Sequence, residues 1–236
     1  SADNIRDHRH VTSLLHRIET TDTGVLVTPT LSFDERGHQV NHMTYYCVGW
    51  SGNGEKPVDF YPTAEDFVGE GGNFERPYAI VKNAEGVKAG TKIEGLEAVG
   101  GLHFSEITLE PEEECSYLIF TGITEDIQEI RNLSKTYTTR EKVLEELEKT
   151  KAYWQEKVNV AYHTGDSDFN QFMHWVSFQP ILRRIYGCSF LPHHDYGKGG
   201  RGWRDLWQDC LALLIMNPDG VRQMLLDNFA GVRIDG

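Results

Sequence analysis

The apolar residues of this chain change their spacing once, at Gly122, and that change limits the folds open to it. Before it lie short runs rich in β-branched and aromatic residues, at 25–30 (VLVTPT), 44–50 (TYYCVGW), 78–81 (YAIV), 104–109 (FSEITL) and 117–121 (YLIFT). Glycine, asparagine and proline turns separate them, which is the pattern of strands. LHFSEITL and CSYLIFTG alternate apolar with polar residues, as a strand does when one face is buried. After Gly122, apolar residues recur at spacings of three and four: Ile127, Ile130 and Leu133, then Val143, Leu144 and Leu147. Those spacings describe amphipathic helices. The expectation is therefore a multidomain α and β chain: an antiparallel β-sandwich over 1–122, a helical linker over 123–160, and further helices over 161–236.

Local signals refine this. The turn-rich passage 51–74 reads as an excursion from the sheet edge. Thr124 is the expected N-cap of the first helix, and Thr138 with Glu141 reads as a capping box for the second. Asp166 or Ser167 caps a third helix carrying Phe169, Phe172, Met173, Val176, Ile181, Leu182 and Ile185, which Pro180 should kink or break. In MNPDG, Asn217 and Pro218 read as the N-cap and first residue of a last helix with Val221, Met224, Leu225 and Phe229 inward. Three helices and a linker are a fraction of any closed helical architecture, so more of the protein is expected on the C-terminal side.

Composition narrows the partners. The 236 residues carry a formal net charge of −13, which opposes nucleic acid and anionic membranes. No apolar run approaches the roughly 20 residues that a bilayer requires, and the charged start SADNIRDHRHVTSLLHR does not resemble a signal peptide. Cys47, Cys115, Cys188 and Cys210 are far apart with no CxxC spacing, so they read as free thiols of a cytoplasmic protein.

The stretch 199–214, GGRGWRDLWQDCLALL, concentrates the chemistry. Helical spacing puts Asp205 and Asp209 on one face and Arg204 and Gln208 on the next. Arg204 and Asp209 can clamp sugar hydroxyls with charge-assisted hydrogen bonds, and Trp203 or Trp207 can offer a flat apolar face to a pyranose. The same residues also fit an internal ion pair between Arg204 and Asp205 or Asp209 that caps the helix, with the tryptophans in a core. Upstream, His193 and His194 lack the spacing of a metal motif, so no metal is expected, and they read as rim residues. Lys198 and Arg201 in GKGGRG are weak anion-binding candidates, since no phosphate-loop pattern surrounds them. His8, His10 and His174 read as structural histidines.

NQFMHWVSFQPILRRIYGCSF, the glycine-containing loop and RGWRDLWQDCLALLIMNPDGVRQMLLDN together resemble the inverting glycoside phosphorylases typified by cellobiose phosphorylase, chitobiose phosphorylase and the cyclic β-1,2-glucan synthase C-terminal region. The family motif runs approximately G-[FYW]-R-D-x-x-Q-D, and here it stands as GWRDLWQD. The spelling is most similar to the 1,2-β-oligoglucan phosphorylase branch.

The resemblance implies a sandwich, a helical linker and an (α/α)6 barrel of which 161–236 is the start. It implies an oligosaccharide substrate, inorganic phosphate as co-substrate and no cofactor. It places Arg204 and Asp209 on the donor sugar, alongside Trp203, Asp205 and Gln208. The general-acid aspartate and the phosphate loop of that family belong further along the barrel, so the acid is expected beyond Gly236, in the remainder of the same enzyme. This segment alone would then be inactive, and its expected partner is the remainder of the same enzyme or a second copy in a homodimer. An inverting hydrolase of the glucoamylase kind and a noncatalytic carbohydrate-binding protein are the competing expectations.

Overall fold

The structure, a computed structural model, describes residues 13–34, 37–137, 139–186, 203–230 and 232. The chain divides into two compact units, 1–145 and 146–236.

In the first unit the strands are β1 (His16–Thr20), β2 (Gly24–Pro29), β3 (Leu31–Asp34), β4 (Gly37–Val40), β5 (Thr44–Ser51), β6 (Asp59–Thr63), β7 (Lys92–Glu94), β8 (Ala98–His103) and β9 (Tyr117–Thr124). Five of them form an antiparallel sheet in the order β7-β1-β2-β5-β9, while β3-β4 and β6-β8 form two-stranded sheets. Alternation along the central strands assigns each side chain to a layer. Ile18 and Val25 face Phe60 of β6 and Leu102 of β8, giving one core between two sheets. Leu26, Val48, Trp50 and Leu118 face the other way, onto Ile130 and Leu133. The centre of the sheet is thus covered on both sides, which explains why VLV and YYCVGW are nearly continuous apolar runs rather than strict alternations.

The cover on the second face is α3 (Ile127–Thr136). Residues read as the start of a linker are therefore part of the sandwich core. Trp50 Nε1 donates to the Tyr137 carbonyl at 3.0 Å and stacks on Phe120, pinning the end of α3 to the sheet. Asp126, not Thr124, is the N-cap, its side chain accepting from the Gln128 amide; the Thr124 hydroxyl accepts from the Asp126 amide just outside the helix.

Several local expectations are corrected. Residues 78–81 form a short helix, α2 (Tyr78–Val81), because they follow Pro77, whose fixed φ suits a helix start. Residues 104–109 are not a strand; β8 ends at His103 and the alternating FSEITL lies outside any ladder. The 51–74 passage holds β6 and α1 (Ala64–Val68), the latter capped by Thr63. Pro62 sits in β6 where its register with β8 shifts, the position at which a sheet tolerates a residue lacking an amide donor.

The second unit is helical. Helix α4 (Arg140–Lys157) runs across the boundary between the units, and α5 (Ser167–Tyr186), α6 (Trp203–Met216) and α7 (Val221–Ala230) follow. The Thr139 hydroxyl accepts from the Lys142 amide at the start of α4, while Thr138 lies outside the described residues. Asp166 caps α5 through the amides of Asp168 and Phe169. Helix α5 continues through Pro180, which is buried, so of the kink or break expected there, the break does not occur. Helix α7 begins at Val221 rather than Pro218, after a turn in which Gly220 takes a φ of 74°. Ile181, Leu206, Cys210, Leu213, Met216 and Val221 form the core, with Trp154 packed beside them. Phe169, Phe172, Ile185 and Phe229, expected inward, are exposed.

Among the described residues no helix is long and apolar enough to cross a membrane. Among the described residues Cys47, Cys115 and Cys210 form no disulfide.

Candidate functional site

The polar cluster of RDLWQD is sorted by the helical period of α6. Leu206, Cys210 and Leu213 turn into the core, and Asp209, one residue short of Cys210, is carried inward with them. A carboxylate that is only 3% exposed must find a partner or lose its charge. Its partner is Arg183 on α5. Arg183 Nε lies 2.8 Å from Asp209 Oδ2 and 3.0 Å from Oδ1, and Nη2 lies 2.5 Å from Oδ1. The remaining guanidinium nitrogen donates to Gln179 Oε1 at 3.3 Å. Gln179 stands one turn before Arg183, so the two side chains share a helix face and the fork is held from both ends.

Arg204 and Gln208 are exposed, on the part of α6 turned away from this pair. Trp207 is half-buried and meets Phe229 edge-on, with ring centroids 5.0 Å apart. Trp203 opens α6, and Asp205 stands within it; their side chains, like His193, His194, Lys198, Arg201 and the whole of 187–202, lie outside the described residues. His174 is exposed on α5. The turn between α6 and α7 is fixed by Arg184, which donates to the Asn217 carbonyl at 3.0 Å and to the Asp219 carbonyl, and by Asn159, which donates to the Met216 carbonyl at 2.9 Å.

Sequence reasoning missed Arg183. Arginines in the last turn of a helix are also favoured by its C-terminal dipole, so the type of residue alone does not point to a buried partner. The available signal was the Gln179–Arg183 spacing, but its target lies 26 residues away. Chemically, the fork spends three donor–acceptor contacts on Asp209. An ionised carboxylate has about four lone-pair positions, two on each oxygen. Oδ1 accepts from Nε and Nη2, whereas among the described residues Oδ2 accepts from Nε alone and a second position on it is unfilled. Among the described residues no group of three or more histidines, cysteines, aspartates or glutamates is arranged to hold a metal.

The two units, the double-covered sheet and the buried aspartate of α6 can now be set beside known proteins. Residues 2–140 match the family described as glycosyl hydrolase 94, supersandwich domain. This is more than half of the chain, and the protein belongs to that family, a family of carbohydrate-active enzymes. The matched segment closes just after α3, in agreement with the packing of that helix on the sheet. The chain is also similar to the cyclic beta-(1,2)-glucan synthase NdvB of Rhizobium meliloti (strain 1021), at 26% identity over 194 residues. That alignment takes in 80% of this chain, so it extends into the helical unit, and it spans 6% of the relative's length.

Proposed function

We propose that this chain is part of an inverting glycoside phosphorylase acting on β-1,2-linked glucooligosaccharides, and that α6 supplies one side of its donor-sugar site. The reaction would use inorganic phosphate. A phosphate oxygen attacks the anomeric carbon, the glycosidic C–O bond breaks with inversion, and a carboxylic acid protonates the departing oxygen, giving α-glucose 1-phosphate. Phosphate is already a competent nucleophile, so such a mechanism needs only one protein acid. That acid is proposed to come from the remainder of the same enzyme.

The observation that carries the reading is the geometry of Asp209: buried, held by the Arg183 fork, and with one acceptor position on Oδ2 that no described residue fills. An acceptor fixed in that way costs no reorganisation when it grips a sugar hydroxyl, and it favours the distorted ring over the relaxed one. Trp203, Arg204, Asp205, Trp207 and Gln208 of the same motif are proposed as further residues of the donor-sugar site. His193, His194, Lys198 and Arg201 would lie at the rim or near the anion.

The helical unit also supports a larger helical array, for which the (α/α)6 barrel is our reading. Helix α6 is apolar on its outer side as well as its inner one, with Leu211, Leu214 and Ile215 exposed. In its C-terminal half, Cys210–Met216, α6 is apolar on both sides, and such a segment belongs between other helices.

In the complete enzyme, Asp209→Asn should lower kcat/KM for phosphorolysis by about 10²-fold or more, read as phosphate-dependent release of α-glucose 1-phosphate from a β-1,2-linked trisaccharide. Product release that continues without phosphate would mean hydrolysis instead, and an unaffected variant would remove Asp209 from the site.

A further inference from the structure

The two-stranded sheet β6-β8 covers only part of the inner face of the five-stranded sheet. Beyond its edge, the same face carries His16 of β1, Val27 and Pro29 of β2, and Tyr45 and Cys47 of β5. Together with Ala98 and Gly100 of β8 they enclose an open cavity of about 380 Å³. That size lies within the roughly 300–1,000 Å³ of small-ligand sites, which are mostly apolar with a few placed polar groups.

The chemistry of the lining narrows the ligand. In a chain with a net charge of −13, no carboxylate, ammonium or guanidinium lines this cavity among the described residues. A charged ligand would lose its hydration there without a partner, so the ligand is uncharged. Burial raises the Cys47 thiol above its ordinary range, and the thiol donates to the Gly100 carbonyl, so the floor is neutral as well. Gly100 carries no side chain because a Cβ there would meet Cys47 Cβ at 2.4 Å, and this close approach brings β8 down beside the cavity.

Two polar tips remain. His16 Nδ1 lies 3.2 Å from the Leu96 carbonyl, which can only accept, so in the neutral ring the proton sits on Nδ1 and Nε2 is an acceptor. Tyr45 is 49% exposed, with its ring opposite Val27 and Ile123 in register and its phenol able to donate or accept. A flat body with apolar C–H faces and hydroxyls at its edge satisfies all of these groups, whereas an aliphatic chain would engage neither tip.

We infer that this cavity of the sandwich unit binds a glucosyl unit of an uncharged β-glucan chain, one pyranose face against Tyr45 and a hydroxyl on His16, at a site separate from the α6 cluster. The choice of glucan rests on the function proposed above.

The test is a calorimetric titration of the 236-residue chain with a β-1,2-linked glucose trisaccharide and, separately, with 1-octanol. Saturable trisaccharide binding is expected, weakened about fivefold to tenfold by Tyr45→Ala. A footprint on the unsubstituted chain gives a second reading. Saturating trisaccharide should slow iodoacetamide modification of Cys47, located by mass spectrometry, while exposed Cys115 reacts at its usual rate. Binding that Asp209→Asn abolishes and Tyr45→Ala spares would overturn this inference and leave the α6 proposal standing. Binding of 1-octanol with none of the trisaccharide, or an unprotected Cys47, would overturn it as well. Loss of activity in Asp209→Asn of the complete enzyme bears on the α6 proposal alone.

Discussion

The two units bury their apolar residues by different means. In the sandwich, the central strands β2 and β5 are covered on both faces by elements close in the same unit: β6 and β8 on one side and α3 on the other. In the helical unit, α6 buries Leu206, Cys210, Leu213 and Met216 but leaves Leu211, Leu214 and Ile215 outside, the last 77% exposed. A strand's side chains fall into two opposed sets, and each needs one cover. A helix distributes them around a cylinder, and one neighbour covers only a stripe. The centre of the sandwich is thus covered within its own unit, whereas in the helical unit α6 has an apolar side that its described residues do not cover.

The contrast can be broken most sharply at the buried ion pair. Replacing Arg183 with Leu leaves the buried Asp209 carboxylate without its fork, and should destabilise the helical unit by about 3–5 kcal/mol. Hydrogen exchange resolved by peptide should show the loss in α5 and α6 and leave β2 and β5 protected. Equal loss in both units would show that they unfold together.

Leu213→Ala tests the covered side of α6. Leu213 is fully buried, and its truncation should cost about 2–5 kcal/mol by denaturant unfolding.

Trp50→Phe tests the cover on the sheet. It removes the Nε1 donor to the Tyr137 carbonyl while keeping most of the ring, so the loss should be about 1–2 kcal/mol. It should appear as faster exchange in α3 with little change in α6.

Ile215→Ser should have the smallest effect on stability, within about 0.5 kcal/mol in a melting experiment on this chain. It should also reduce binding of a hydrophobic dye such as ANS. A cost above about 2 kcal/mol would mean that the outer side of α6 is already covered.

Much of this was legible in the residues. The change of period at Gly122 placed the turn from strands to helices, because the periods 2 and 3.6 follow from backbone geometry alone. The strands at 25–30, 44–50 and 117–121 were read from β-branched and aromatic runs and stand as β2, β5 and β9. Asp166 was among the residues read as the cap of α5, since capping depends on the next three residues only. Where reading failed, a distant partner or a local proline had overridden the pattern. FSEITL alternates like a strand, but its residues find no ladder partner. YAIV is apolar like a strand, but Pro77 sets it into a helical turn.

The candidate site divides along the same line. The chain alone determined that GWRDLWQD opens a helix and which of its side chains share a face, since both follow from spacing within a few residues. It also left two uses open for Arg204 and Asp209, a sugar clamp or an internal ion pair. Only the tertiary structure decided that Asp209 points inward and that its cation is Arg183, 26 residues upstream on another helix. Burial is a property of what packs against a residue, and a charge chooses its partner by distance in space. Neither is written in the spacing along the chain.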